Sequence, residues 1–489
     1  MSFSQYSVSK TSFLKFEQCA KAFFLYKNFP FLKDKLSIDK QLTFNRGHAI
    51  GLLAQELFPG GTDIKKETKN TNDAVILTQE LISKKTKTIY EATFIFDKVL
   101  IMIDILNLEN DKYYGYEVKS SLKVSETYLM DACLQYYVLK NSLPDFEDLF
   151  LVTLNGDYIL EDNIDPKKLF KKRSVKKESE KNLLFFSEKI KEANLVLERN
   201  IIPDISIGKH CLKPYQCDFM ATCWKNTESE KSIFNLPLVN KDVLFEWHQS
   251  GIRTIEQLDN SLMKNDRFSE IKNSFISNKP IVNLDQILLL ISKIKEPVAA
   301  LDMEIWSAAL PGLKGTKPFQ QIPFLFCISN LTSQSFYLSE HHQDERRDVA
   351  LELINQTMHF NSILVFDKTM EEQTINSLIN LYADLAVALN LLKNKFIDLS
   401  DIFKNFYYYE PSFKNNFSLK SISEALKLEV SFDKIRSGLE AMNYFEKMRG
   451  EQNIVEKQML KEDLINYCFS DTRATFLIFE FLRNLISKI

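Results

Sequence analysis

Residues 99–121 read VLIMIDILNLENDKYYGYEVKSS. Within the apolar run 98–106 stands one acidic residue, Asp104, and the polar stretch 107–112 follows it. A second β-rich run, 113–119, ends in Glu117-Val118-Lys119. Two such runs joined by a short polar turn predict a hairpin. Residues i and i+2 of a strand share a face, so Glu117 and Lys119 point the same way, and the hairpin brings Asp104 beside them. Two carboxylates hold a hard divalent ion such as Mg2+ through oxygen. Such an ion activates a bound water and polarises a phosphoryl oxygen, while a lysine stabilises the charge developing on phosphate. Taken alone, the same three residues also describe an ordinary exposed hairpin, so the flanking sequence decides.

Working outward, a further β-rich run covers 88–96, a helix is predicted at about 125–140 and a strand at 148–154, which together make an α/β unit. Phe13, Phe16, Ala20, Phe23 and Phe24 recur at helical spacing, so 11–27 reads as one amphipathic helix. Another helix covers 44–57 and stops at Pro59-Gly60-Gly61. Segment 166–181 carries eight Lys or Arg residues, which reads first as a solvated face and second as a phosphate-tracking surface. Residues 226–295 look helical and linking, an apolar strand at 298–302 opens a new α/β unit, and helical patterns dominate from about 370. The expected organisation is therefore 1–225, 226–295 and 296–489, of α/β class.

Composition narrows the function. At 489 residues, 45% hydrophobic and 26% charged, the chain is long enough for several globular domains. Twelve Gly and 13 Pro exclude collagen-like and linker-like classes. A net charge of −3 excludes a uniformly basic nucleic-acid glove, so binding of that kind must rest on local patches. No apolar run approaches the ~18 residues of a membrane span, and the polar stretch 1–10 lacks the apolar core of a signal peptide. The expectation is a soluble, cytoplasmic protein without membrane contact. No G-x4-GK[ST] phosphate loop occurs, so the chain is not itself a P-loop helicase.

Two further groups carry chemistry. Cys211, Cys217 and Cys223 form a C-x5-C-x5-C cluster, and in a reducing compartment such a cluster signals metal more often than disulfide. A fourth ligand is needed, and Cys19 stands at the other end of the same segment, with His210 as a spare donor. Four thiolates suit zinc or an iron–sulfur cluster. Cys133, Cys327 and Cys468 lie in apolar patterns and are expected in the core. The second group begins with Asp302 and Glu304, at i and i+2 of a strand. Asp367 and Glu371 follow an apolar strand, and Tyr467 and Asp471 lie at i and i+4 of a helix. Converging carboxylates of this kind hold two metal ions about 3.5–4 Å apart. Asp398 is a further acidic residue, expected to be structural.

With His48 in RGHAIG upstream and Gln135 in LMDACLQYY downstream, the set Asp104, Glu117 and Lys119 resembles the RecB-like branch of the PD-(D/E)XK nucleases. That resemblance implies a restriction-endonuclease-like domain in which His48, Asp104 and Glu117 bind Mg2+ or Mn2+ and Lys119 is the catalytic cation. It implies too that Gln135, with Tyr136 or Tyr137, touches the site or the DNA. One cysteine before the nuclease core and three after it is the layout of members carrying a 4Fe-4S cluster on Cys19, Cys211, Cys217 and Cys223, with zinc as the alternative. The pattern D-x-E, an acidic residue after a strand, then Y-x3-D resembles the tyrosine variant of the DEDD (DnaQ-type) exonucleases. It implies an RNase H-like fold in which Asp302, Glu304, Glu371 and Asp471 bind the ions and Tyr467 orients the attacking water. Where that family has Asn and then Asp four positions on, this chain has Asp367 and Glu371.

The whole order of motifs resembles an uncharacterised bacterial family that fuses the two nucleases, joined by a small helical segment. Residues 244–258 resemble short helical DNA-binding hairpins. The implied substrate is DNA with single-stranded ends, RNA not excluded, in repair or phage defence, with a helicase or defence-system partner. The reading from another class is a nucleic-acid-binding scaffold whose nuclease sites are degenerate.

Overall fold

The computed structural model describes residues 6–487 apart from 228, 260, 261, 263–265, 341, 342 and 433. Residues 1–5 of the polar N-terminal stretch therefore lie outside the described set. The fold is mixed α/β, and the chain divides into two compact units, Met1–Asn226 with Ala309–Pro318, and Thr227–Ala308 with Phe319–Ile489.

The first unit is built on a seven-stranded sheet of β1 (Val8–Ser9), β2 (Thr62–Asp63), β3 (Thr88–Phe96), β4 (Val99–Glu109), β5 (Lys112–Lys119), β6 (Phe146–Leu154) and β7 (Phe170–Ser174). Its order is β2-β3-β4-β5-β6-β7, with β1 paired to β4. Two-residue turns join β3 to β4 and β4 to β5 in antiparallel register, and their residues Asp97, Lys98, Asn110 and Asp111 have φ between 49° and 59°. Positive φ at both central residues is what a type I′ hairpin turn demands, and its twist matches that of the strands. From β5 the chain crosses through the helix Glu126–Ser142 to β6, which runs parallel to β5. Leu134, Val138 and Leu139 of that helix pack on Ile103, Leu106 and Leu149 of the sheet.

Two sequence expectations change here. The segment 11–27 is two helices, Lys10–Gln18 and Ala20–Asn28, because Cys19 between them is extended (φ −167°, ψ 117°) and caps both. The basic run 166–181 supplies the edge strand β7, where Lys171 pairs with Asp157, Arg173 with Glu178, and Lys176 nearby with Glu147. Charged side chains on an edge strand block pairing with other chains.

The second unit contains β8 (Ile281–Val282), β9 (Val298–Trp306), β10 (Ile322–Ser329), β11 (Gln334–Leu338), β12 (Ser362–Val365), β13 (Phe396–Asp398) and β14 (Tyr408–Tyr409). Five of them form a sheet of order β11-β10-β9-β12-β13, while β14 pairs with β8 in a separate ribbon. The strands β11, β10 and β9 run antiparallel, and β12 and β13 run parallel to β9. The 34-residue helix Ile454–Ser487 packs across β9 and β10. Residues expected to be a linker share this unit's core: Leu244, Trp247, Ile255, Phe268 and Ile287 pack with Phe403, Tyr409 and Phe479. Within them, 244–258 forms the end of the helix Lys241–Gln249 and one 3-10 turn, Ile255–Gln257, rather than two helices. Among the described residues no helix is long and apolar enough to cross a membrane.

Candidate active sites

The β4–β5 register pairs Ile105 with Tyr116, so Asp104 and Glu117 stand at the next rung. Asp104 Oδ2 accepts the Val118 backbone N–H at 2.6 Å, which fixes it against the Glu117–Lys119 segment. Glu117 is 2% exposed, and its Oε1 accepts from Lys119 Nζ at 2.6 Å and from Lys10 Nζ at 2.8 Å. Lys119 Nζ also donates to Asp131 Oδ2 at 2.6 Å. Burial works against the charge on Glu117, but Lys10 and Lys119 outweigh it and hold the carboxyl well below its usual range. Burial and then the Glu117 charge push Asp104 the other way, up to about 7. A pair of carboxyls driven apart in this manner is a mark of functional sites.

Gln135 is completely buried, and neither its Nε2 nor its Oε1 has a hydrogen-bond partner. Glu117 Oε2 and Asp131 Oδ1 are orphaned in the same way. Buried polar atoms without partners are costly, so four of them around one network point to a ligand that completes it. Gln135 lies one turn beyond Asp131 and two beyond Tyr128, whose ring has Lys119 Nζ 5.3 Å from its centroid. The tyrosines that follow Gln135 go elsewhere: the hydroxyl of Tyr136 donates to Glu180 and that of Tyr137 to Asp97. His48 lies exposed on the helix Ile38–Gln55. Among the described residues, no three ligand atoms drawn from His48, Asp104 and Glu117 come within 4.8 Å of one another. Lys10, Asp131 and Tyr128 were missed by the sequence reading. Only the spacing 128, 131, 135 on one helix face could have pointed to the last two.

In the second unit the gathering is tighter. Ligand atoms of Asp302, Glu304 and Asp471 all lie within 4.8 Å of one another. Alternation along β9 produces this: Leu301 and Met303 enter the core on one face, while Asp302 and Glu304 share the other. Asp471, 7% exposed, comes from the long helix, with Tyr467 one turn earlier on it. Glu371 is buried in the first turn of the helix Thr369–Leu381, where the helix dipole favours a carboxylate. Burial, then Glu371, pushes Asp302 up to about 7; burial, then Asp302, pushes Asp471 up to about 8. Glu304 is raised by burial and by both neighbours, and burial takes Glu371 to about 7. Asp302 Oδ2, Asp471 Oδ1 and Glu371 Oε2 are buried with no hydrogen-bond partner. An all-oxygen donor set of repelling, orphaned carboxylates fits a hard divalent cation such as Mg2+ or Mn2+.

Asp367 turns away from this cluster: it accepts from the Thr369 hydroxyl at 2.7 Å and pairs with Lys404 at 2.9 Å. Asp398 caps backbone, taking the N–H groups of Asp367, Lys368 and Ser400. Cys327 and Cys468 are fully buried, Cys327 pairing with Asp302 across the β10–β9 ladder and Cys468 donating to the Asp302 carbonyl at 3.6 Å.

Cys133 is buried in the first unit's core, and the four other cysteines come together elsewhere in that unit. Cys19, Cys211, Cys217 and Cys223 line one small cavity together with His210. Asp34 accepts the backbone N–H groups of Met220 and Ala221, Gln18 donates to the carbonyls of His210 and Tyr215, and Lys15 pairs with Asp218. These bonds tie the two N-terminal helices to the cysteine loop. Burial raises the thiols of Cys19, Cys217 and Cys223. No three of the four sulfurs come within 4.8 Å of one another among the described residues.

Residues 299–418 match the model of DUF2779, a domain of unknown function. The matched stretch contains Asp302, Glu304 and Glu371 and ends before Tyr467 and Asp471. No curated protein and no solved structure matches the chain.

Proposed function

We propose that this chain is a metal-dependent nuclease that hydrolyses phosphodiester bonds of DNA from single-stranded ends, with its principal hydrolytic site in the second unit. The observation that carries the reading is the meeting of Asp302, Glu304 and Asp471 ligand atoms within 4.8 Å, with Glu304 and Asp471 buried. A divalent ion held there supplies charge stabilisation and an activated water. Asp302, Glu304, Asp471 and, from the helix Thr369–Leu381, Glu371 would hold it. Tyr467, one turn before Asp471 on the same helix, would orient the attacking water. The mixed five-stranded sheet, an antiparallel meander followed by two parallel strands, supports an RNase H-like fold for this unit.

For the first unit the proposed fold is the PD-(D/E)XK type, with Asp104 and Glu117 as ion ligands, Lys119 as the cation that stabilises phosphate charge, and Gln135 facing the same network. A second reading has support at this site alone. Two ammonium groups already neutralise Glu117, and His48 stands exposed, so this site would act as a degenerate nucleic-acid grip. For the four cysteines, which line one small cavity, the proposal is a 4Fe-4S cluster, with zinc as the alternative that four thiolates also suit.

The test is Mg2+- or Mn2+-dependent degradation of end-labelled single-stranded DNA by the wild type, Asp302→Ala and Lys119→Ala. Asp302→Ala is expected to lose about a hundredfold or more. Unchanged cutting by both variants would overturn the assignments. Loss with Asp302→Ala alone would remove the first-unit site from the hydrolysis. Protein purified anaerobically should be brown; a colourless protein with stoichiometric zinc rules out the iron cluster.

A further inference from the structure

Among the described residues, a cation that neither motif contains acts on the acidic cluster. Lys420, at the start of the helix Leu419–Ala425, acts electrostatically on Asp302, Glu304 and Asp471. Its ammonium is held on three sides. It donates to the Arg436 carbonyl at 2.8 Å, lies 4.6 Å from the centroid of the Tyr467 ring and 5.2 Å from that of Phe432. The helix that carries it is fixed by the Ser418 cap, whose hydroxyl accepts the Ser421 N–H, and by buried Ile422. An ammonium over an aromatic face is attracted by the ring quadrupole, so Lys420 fixes the Tyr467 ring as well as being fixed by it.

We propose that Lys420 is a positioning residue of the second-unit site: it holds Tyr467 in place through its ring face and offsets part of the carboxylate charge. The inference rests on the hydrolytic reading above and adds a residue to that same site. A cation over the ring draws electron density from the phenol and makes its hydroxyl a better donor to an attacking water or to developing phosphate charge. The same positive charge repels a divalent ion bound by Asp302, Glu304 and Asp471. Lys420 therefore weakens ion binding while it aids turnover. A residue that merely holds the fold together has no such pair of opposite effects.

The experiment uses the full chain as wild type, Lys420→Met and Lys420→Arg. Mn2+ binding is titrated by paramagnetic resonance, and turnover on a labelled single-stranded oligonucleotide is resolved into kcat and KM. For Lys420→Met the expected result is a kcat about tenfold or more lower with KM within about threefold. Its Mn2+ binding should be about threefold or more tighter. Lys420→Arg, which keeps the charge, is expected to stay near the wild type in both. Wild-type turnover in Lys420→Met overturns the proposal, as does lost turnover with unchanged or weaker Mn2+ binding. If the wild type binds Mn2+ and cuts nothing, the hydrolytic reading falls, while unchanged or weaker Mn2+ binding in Lys420→Met separately overturns the charge role of Lys420. If the wild type binds no Mn2+, both fall.

Discussion

Glu117 and Asp131 both lie 2.6 Å from Lys119, while Lys10 is 2.8 Å from Glu117 and only 3.8 Å from Asp131, so the two lysines are not equivalent. Removing Lys10 leaves Glu117 one short partner; removing Lys119 leaves both carboxylates in deficit. Lys10→Met is expected to cost about 1–3 kcal/mol of first-unit stability, and Lys119→Met more, measured as urea midpoints. At the other site the sign reverses. Asp302 stands among repelling carboxyls, so Asp302→Asn should raise the metal-free melting temperature at pH 8 while abolishing cutting. At pH 5, where burial keeps these carboxyls protonated, the same substitution should change the melting temperature little. Asp104, Glu117, Asp302 and Asp471 were legible because each sits in a short motif with a fixed spacing. Lys10, Asp131 and Lys420 were not: each is a single residue on an element distant in sequence, and only folding brings it to the site.

The β4–β5 hairpin read well from the sequence because apolar residues set its strands and polar residues its turn, while the β3–β4 hairpin was not legible. Neither exact joint was legible, since Asp97-Lys98 and Asn110-Asp111 lack the glycine that usually betrays a type I′ turn. Lys98, at φ 59°, occupies the position where glycine has least strain. Lys98→Gly should therefore stabilise the first unit by up to about 1 kcal/mol, visible in its thermal transition. The break at Cys19 escaped notice for a different reason. Apolar spacing runs unbroken from Phe13 through Phe24, and periodicity cannot report one extended residue between two helices. The loop opposite depends on Asp34, which caps the short helix Met220–Cys223. Asp34→Ala should cost about 1 kcal/mol and hasten loss of any cluster absorbance in air.

Over the whole molecule, the two units should melt as separate transitions, because each has its own core. Their response to pH locates the acidic site. Asp302 and Asp471 are raised from 3.8 to about 7 and about 8, so between these values the folded second unit binds more protons than the unfolded chain. Its stability must then fall as pH rises from about 4 to about 8 in a chelator, and Mn2+ should restore it most at the upper end. A scanning calorimeter run across that range checks both signs; a pH-independent second transition would remove the repelling cluster from the account. The general α/β class was legible from alternating strand and helix patterns. The membership of 226–295 in the second core was not, because its apolar residues are spaced too irregularly to announce a partner. The ties from Gln18, Lys15 and Asp34 to residues 210–221 also govern how the protein is born. At roughly 5–20 residues per second, a ribosome needs about 10–40 s to reach Cys223 after Cys19. For that interval the two leading helices can pack on the sheet but lack the loop that closes over Gln18 and Asp34, so a nascent chain arrested short of residue 223 should be open to proteases around these residues.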